Sequence, residues 1–170
     1  VKIASKNNIE ITVDNHKQLK EIIKLNLNNL LIHLKIDSGM HRLGYESLGE
    51  FKKSLNLLKK QTTIKLIGIY THFKIANSEN YKKQMSVFKK FIDIAPKNIL
   101  IHCANSQASR IKELQYEMVR VGLSLYGYGE KHLKKVLKVK SNVVSIHNVK
   151  AGESVGYDGT YVCMKDSVIA

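Results

Sequence analysis

Arginine is scarce in this sequence. Of 28 basic residues only Arg42, Arg110 and Arg120 are arginine, and the formal net charge of +14 is carried by lysines scattered among Asn and Ile. Nucleic-acid sites lean on arginine for bidentate contacts and on aromatics for stacking, so the charge alone does not make a nucleic-acid binder. Cysteine is scarcer still. Cys103 and Cys163 lie far apart and form no CxxC pair, which disfavours a zinc site and fits a reduced, cytoplasmic protein. No apolar stretch reaches membrane-spanning length; the longest, such as residues 64–70, are interrupted and strand-length. The chain opens at Val1 without a signal-peptide pattern, and residues 166–170 read as a strand cut in mid-course. Both ends therefore read as the edges of a fragment. There are no internal repeats.

What is present is a globular composition, 44% hydrophobic and 25% charged, arranged as short apolar strands alternating with amphipathic helices. Residues 10–14 read as a strand end, and Asp14 or Asn15 caps a helix running to about Leu27. Strands follow at 31–37, 64–73, 98–103 and 118–126, making about five in all. Helices are expected at 46–60, at 78–95 (ended by Pro96) and, as a short one, at 106–112. After a basic, flexible-looking segment at 131–138 the pattern changes. Residues 139–149 and 160–170 read as strands with no helix between them, joined by a turn-rich segment holding Gly152, Gly156 and Gly159. The expected organisation is a β/α domain over residues 1–133 and the beginning of an all-β domain over 134–170. Five strands are too few for a closed eight-stranded barrel, so the β/α part is either a partial barrel or a doubly wound sheet.

Polar residues gather where these strands finish. His33, Lys35 and Asp37 share one face of their strand, with Ile32, Leu34 and Ile36 on the other. Ser38-Gly39-Met40-His41-Arg42 follows at once. The next strand ends Tyr70-Thr71-His72-Phe73, the one after ends His102-Cys103-Ala104-Asn105-Ser106, and the last holds Arg120 and Gly122. Barrel enzymes draw their catalytic groups from the C-terminal ends of several strands, and a helix start such as Ser106 is a natural phosphate seat. Taken singly, each has a plain alternative. His72 or His102 is more often a hydrogen-bonded structural histidine, Lys35 can snorkel, and Ser106 is an ordinary N-cap.

Their joint occurrence resembles the alanine racemase family. His33 to Gly44 is similar to the family's K-x-D-T-G-M-x-R-L-G segment, Thr71-His72-Phe73 to its T/S-H-F strand end, and His102 to Ser106 to its H-x-A-N-S segment. Met118 to Gly127 resembles M-V-R-P-G-I-x-x-Y-G, and residues 149–161 (VKAGESVGYDGTY) the segment bearing the catalytic tyrosine. The segments occur in family order and span nearly the whole chain. Ser38 stands for the usual Thr, Val121 for the common Pro, and Lys74 and Asn77 depart from the loop after His72.

The resemblance implies an α/β fold: the later strands of a (β/α)8 TIM-type barrel, followed by the start of an all-β C-terminal domain. It implies a homodimer with active sites shared between subunits, pyridoxal 5'-phosphate as cofactor, alanine as substrate, and neither metal, nucleic acid nor membrane. Tyr157 would be one of two bases that move the α-proton, and a lysine in a K-A-N-A-Y-G-H-G segment, which does not occur among these residues, the other. A phenol with a pKa of about 10 is a poor base unless its anion is stabilised, and His72 would supply that support. Arg120 would contact the cofactor's ring nitrogen with His102 behind it. Arg42 would orient the substrate carboxylate, and Lys35 corresponds to a lysine that is often carbamoylated in the family to hold that arginine. Asn105, Ser106, Gly122 and Leu123 would face the cofactor and its phosphate. By family the function is interconversion of L- and D-alanine, supplying D-alanine for peptidoglycan, with this piece inactive by itself. A related serine racemase, or a non-catalytic truncated product, is the alternative.

Overall fold

A computed structural model describes residues 1–74 and 80–170. The chain divides into two compact units, Val1–Lys135 and Val136–Ala170. In the first, a short helix α1 (Lys2–Lys6) precedes β1 (Ile11–Val13), α2 (His16–Lys24), β2 (Leu30–Ile36), α3 (Leu48–Leu58), β3 (Ile64–Thr71), α4 (Asn80–Ile92) and β4 (Leu100–His102). The strands form one parallel sheet in the order β1-β2-β3-β4. A doubly wound sheet reverses direction at a switch point. Here each strand is laid beside its predecessor without reversal, as in an arc of a barrel.

Local chemistry sets the helix starts. Asn15 accepts from Gln18 N at the head of α2, and Ser47 accepts from Glu50 N at the head of α3, an S-x-x-E start. The α4 pattern stops at Ile92, four residues before Pro96. The expected beginning of that helix at Ser78, and the departure at Asn77, fall outside the described residues. Apolar side chains on one face of the sheet pack against the helices. Ile32, Leu34, Ile36 and Ile69 meet a cluster that includes Leu19 of α2, Phe51 of α3 and Phe88 and Phe91 of α4, all essentially solvent-free. Phe51 sits edge-on to both Tyr45 and Phe91, with ring centroids 5.5 and 5.2 Å apart.

The β2–β3 pairing contains a bulge. Ile32 pairs with Leu66 but His33 pairs with Gly68, so Ile67 is a surplus residue in β3. Beyond it the cross-strand partners are Lys35 with Tyr70 and Tyr70 with His102, while Thr12 pairs with His33. Partners in register share a face, so Thr12, His33, Lys35, Tyr70 and His102 form one polar face opposite the helices. The expected division of β2 between its two faces holds.

Residues 118–126 are not a strand. They contribute one bridge, Val119 to Ala104, and then a 3-10 turn at Leu123–Tyr126. The cause is Ser106, whose Oγ accepts from the N–H groups of Gly122 and Ser124 and draws that backbone out of the ladder. The parallel sheet therefore has four strands rather than five. Residues 106–112 likewise form successive 3-10 turns, Ala108–Arg110 and Lys112–Leu114, in place of an α-helix.

The second unit holds two antiparallel pairs: β5 (His147–Val149) with β8 (Ser167–Ile169), and β6 (Ser154–Val155) with β7 (Tyr161–Val162). Asp166 joins the turn at Ala151 to β8. It accepts from Ala151 N and pairs with Lys150 Nζ at 2.7 Å. The strand expected over 139–149 is only its last three residues, because only these lie opposite β8. Val139 and Val144 are exposed and outside regular structure. The strand expected over 160–170 is likewise split in two around residues 163–166. No helix among the described residues is long and apolar enough to cross a membrane.

Candidate active site

The loop after β2 is organised by one carboxylate. Asp37 accepts from the backbone N–H groups of Gly39 at 2.8 Å, His41 at 3.0 Å and Arg42 at 2.8 Å. Burial works to raise its pKa, but these donors outweigh burial and hold it below the ordinary carboxylate value. The chain then folds back on the strand it has just left: Tyr45 N donates to Lys35 O, and Asp37 N to Tyr45 O. That return requires glycine at position 44, where φ is +134° and a Cβ would lie 2.4 Å from Asp37 N. Ser38 Oγ and Thr71 Oγ1, 2.7 Å apart, tie the ends of β2 and β3, Thr71 in turn donating to Ile36 O. The loop delivers Arg42 to an exposed position beside Lys35.

A directed line of hydrogen bonds crosses the polar face. Arg120 is anchored by its own backbone, its N–H donating to Ala104 O at 2.9 Å. Its guanidinium donates through Nη1 to His102 Nδ1 and through Nη2 to Thr71 O at 2.8 Å. It lies over the Tyr70 ring, 4.9 Å from the centroid, and Tyr70 stacks on His102 at 4.8 Å with planes 7° apart. His102 Nε2 is 3.0 Å from His33 Nδ1, and His33 Nε2 is 2.9 Å from Glu10 Oε2.

Burial, with Arg120 and His33 adding to it, lowers the His102 pKa to about 3, so the imidazole is neutral. Half-buried His72 is held neutral in the same way, by burial and then by Arg120, Arg42 and Lys35. The buried Lys35 amine is pushed down by burial and by Arg42. These residues thus act on one another: one region at the strand ends collects two guanidinium cations, a lysine drawn toward its neutral form and two neutral imidazoles. Such a region attracts anions and favours deprotonated partners.

Beside it, Ser106 Oγ accepts from Gly122 N at 3.0 Å and Ser124 N at 3.3 Å. A Cβ at Gly122 would meet no atom within 4 Å, so that peptide is open on one side. Asn105 performs local work. Its Oδ1 caps the N–H groups of Gln107 and Ala108, and its Nδ2 donates to Phe73 O. Leu123 is exposed at the head of its 3-10 turn. Tyr157 belongs to the second unit, at the start of the 3-10 turn Tyr157–Gly159, and is 97% exposed. Cys103 is inert: burial raises its thiol pKa to about 12, and Sγ donates to Leu114 O.

Tyr70, His33 and Glu10 also belong to this network, although sequence reasoning assigned them no role. Alternation marked the polar face of β2, but only the cross-strand register shows that Tyr70 continues it and that Glu10 closes it. A cavity of about 500 Å³ lined by Leu55, Leu58, Ile64 and Pro96 lies at the N-terminal end of β3, away from these groups. A smaller one, about 310 Å³, is lined by Asp14, His41, Arg42 and Glu46. Among the described residues no cluster of three or more His, Cys, Asp or Glu could hold a metal ion.

Residues 1–130 match the family model for the alanine racemase N-terminal domain, and residues 136–170 that for the C-terminal domain. An alanine racemase of Staphylococcus epidermidis is 32% identical, the match covering 98% of this chain and 48% of the relative. The chain thus spans about half the length of the curated relatives it matches. The crystal structure of alanine racemase from Bacillus anthracis with bound L-Ala-P aligns with a TM-score of 0.70 at 25% identity, over 99% of this chain and 48% of that one. The enzyme from Bartonella henselae with covalently bound pyridoxal phosphate aligns with a TM-score of 0.68 at 22% identity, over 98% and 49% respectively, a likeness of fold. The fold is therefore part of a TIM-type barrel followed by the start of a β domain, and the chain belongs to the alanine racemase family.

Proposed function

We propose that this chain supplies later barrel strands and the opening of the β domain to an enzyme that interconverts L- and D-alanine with pyridoxal 5'-phosphate. The observation that carries the reading is the fixed, cationic Arg120, held by neutral His102 and by Thr71 O beside the Ser106–Gly122 turn. This donor set fits a phosphorylated pyridine: a guanidinium for the ring nitrogen, and a hydroxyl with neighbouring backbone N–H groups for the phosphate. Bound there, the cofactor supplies an electron sink that acidifies the α-carbon of an amino acid.

Arg120 would hold the ring nitrogen by a hydrogen bond without protonating it, since a guanidinium does not readily release its proton. Limiting the ring's pull in this way favours return of the proton to carbon over competing bond cleavages. Ser106 and the backbone of Gly122 and Leu123 would seat the phosphate, with Asn105 shaping the turn. Arg42 would orient the substrate carboxylate. Lys35, buried and shifted toward its neutral amine, is suited to take up CO2 as a carbamate, whose negative charge would then hold Arg42. Tyr157 would be the base on one face of the α-carbon, its anion supported by His72. In a homodimer sharing its sites, Tyr157 would act at the partner's site. A cytoplasmic location and supply of D-alanine to peptidoglycan follow from the same reading.

The test is racemisation of L-alanine by the full-length gene product, followed by circular dichroism, with a Tyr157→Phe variant beside it. Loss of general base catalysis lowers kcat by about 10²- to 10⁴-fold. Undiminished turnover in the variant, or no alanine racemisation by the unaltered protein, would refute the proposal.

A further inference from the structure

We propose that Glu10 and His33 are positioning residues that act through His102 to hold Arg120 in a single orientation, so that the guanidinium is set from the opposite edge of the sheet. The proposal deepens the reading of Arg120 given above and rests on it for its catalytic meaning.

The argument is one of hydrogen-bond direction. A guanidinium only donates, so His102 Nδ1, facing Arg120 Nη1, must accept. A neutral imidazole that accepts at Nδ1 carries its proton on Nε2. That nitrogen is 3.0 Å from His33 Nδ1, which must therefore accept in turn. His33 then carries its own proton on Nε2, 2.9 Å from Glu10 Oε2, and a carboxylate only accepts. A donor-only cation stands at one end of the line and an acceptor-only anion at the other, so neither histidine has a choice of tautomer. Remove the carboxylate and His33 is at liberty to carry its proton on Nδ1. Two N–H groups would then oppose each other across 3.0 Å. His102 would turn, or take the tautomer that points an N–H at Arg120.

Two further features are built around this line. β2 and β4 are not neighbours, since β3 lies between them. The imidazoles meet across it because the β3 residue opposite His33 is Gly68. A Cβ there would lie 2.4 Å from His33 Nδ1, although the φ at Gly68 is not in the left-handed region. Steric room, not backbone freedom, is what that glycine provides. Tyr70 then clamps the rings from one side. It stacks on His102 and sits under Arg120, and its hydroxyl is 2.9 Å from Thr12 Oγ1.

The experiment uses the full-length, 15N-labelled protein without added cofactor. Long-range 1H–15N spectra report the tautomers of His33 and His102, and the Arg120 Nη signals report whether the guanidinium rotates. The unaltered protein should show both histidines as Nε2–H and resolved Arg120 Nη signals. Glu10→Gln, whose amide oxygen still accepts, should keep this pattern. Glu10→Leu should lose it, and so should Gly68→Ala, which forces the rings apart without removing any polar group. Binding of pyridoxal 5'-phosphate should weaken about fivefold in Glu10→Leu and recover in Glu10→Gln, the scale of losing one half-exposed, charge-assisted hydrogen bond.

An Nδ1–H or doubly protonated His33 in the unaltered protein would overturn the proposal. So would Arg120 signals that stay resolved in both Glu10→Leu and Gly68→Ala. A protein with the expected spectra that binds no pyridoxal phosphate would refute the functional reading and leave the positioning line standing. Averaged Arg120 signals in the unaltered protein, alongside normal cofactor binding, would refute the positioning line alone.

Discussion

Acid should destabilise this fold through His102, and the amount follows from its surroundings. The ring is almost solvent-free, accepts from a guanidinium and donates to a second imidazole, and its pKa falls from 6.5 to about 3. A histidine whose folded pKa is depressed leaves the native state with fewer bound protons than the unfolded state between those two values. Stability therefore falls as pH drops below about 6.5, and the loss stops growing near pH 3. Between pH 7 and pH 5 the unfolded state gains about 0.7 of a proton that folded His102 refuses, an integrated loss of about 2 kcal/mol. His72 shifts in the same direction and adds to the total, so the contrast must isolate His102. His102→Gln does this, since an amide can accept from Arg120 and donate to His33 without titrating. Urea unfolding of the full-length protein at pH 7 and pH 5, followed by far-ultraviolet circular dichroism, should show a pH-dependent loss about 2 kcal/mol smaller in the variant. Equal losses in the two proteins would refute the reasoning, as would a His102 signal titrating near pH 6.5 in the native state.

Gly44→Ala should destabilise by about 3 kcal/mol or more, because it combines a left-handed backbone with overlap against Asp37 N, and unfolding midpoints will show it. A fall below about 1 kcal/mol would mean the loop relaxes without cost. Lys35 in the full-length protein should gain a carbamate in the presence of 13C-labelled bicarbonate, giving a carbonyl signal that vanishes in Lys35→Ala. A labelled spectrum without that signal would end its proposed role. The 170 residues expressed alone should lose pyridoxal phosphate absorbance on dialysis and melt without a sharp transition, since β1 and β4 offer unpaired edges. Retained absorbance that shifts on adding alanine, or a cooperative melt of a monomer, would contradict both expectations.

The site was legible in the sequence where chemistry is local. Asp37 to Arg42 is a continuous loop whose donors and acceptor are neighbours in the chain, and Asn15 announces its helix within three residues. Legibility failed where structure depends on a remote partner. Residues 118–126 have strand-like composition, yet Ser106, more than ten residues earlier, captures their backbone N–H groups and leaves one bridge. Residues 139–146 are apolar enough for a strand but have no chain opposite them among the described residues. Tyr70 and Glu10 are ordinary in sequence and become part of the site only through the pairing of β1, β2 and β3. Local patterns encode hydrogen bonds a few residues apart; register is a property of two strands at once.

The surplus residue in β3 divides that strand into two reading phases. Before Ile67 the even-numbered Ile64 and Leu66 share the helix-facing side with Leu30 and Ile32. After it the odd-numbered Ile69 takes that side, and Gly68 and Tyr70 turn to the polar face. The strand thus spells packing in one frame and the polar site in the other, with Ile67 as the punctuation between them. Losing Ile67 leaves both messages intact, since each half keeps its partners. Losing Lys65 or Ile69 garbles one half outright, sending apolar side chains toward the polar face or Tyr70 toward the helices. Within a strand eight residues long, the most dispensable position and some of the least dispensable ones are two apart.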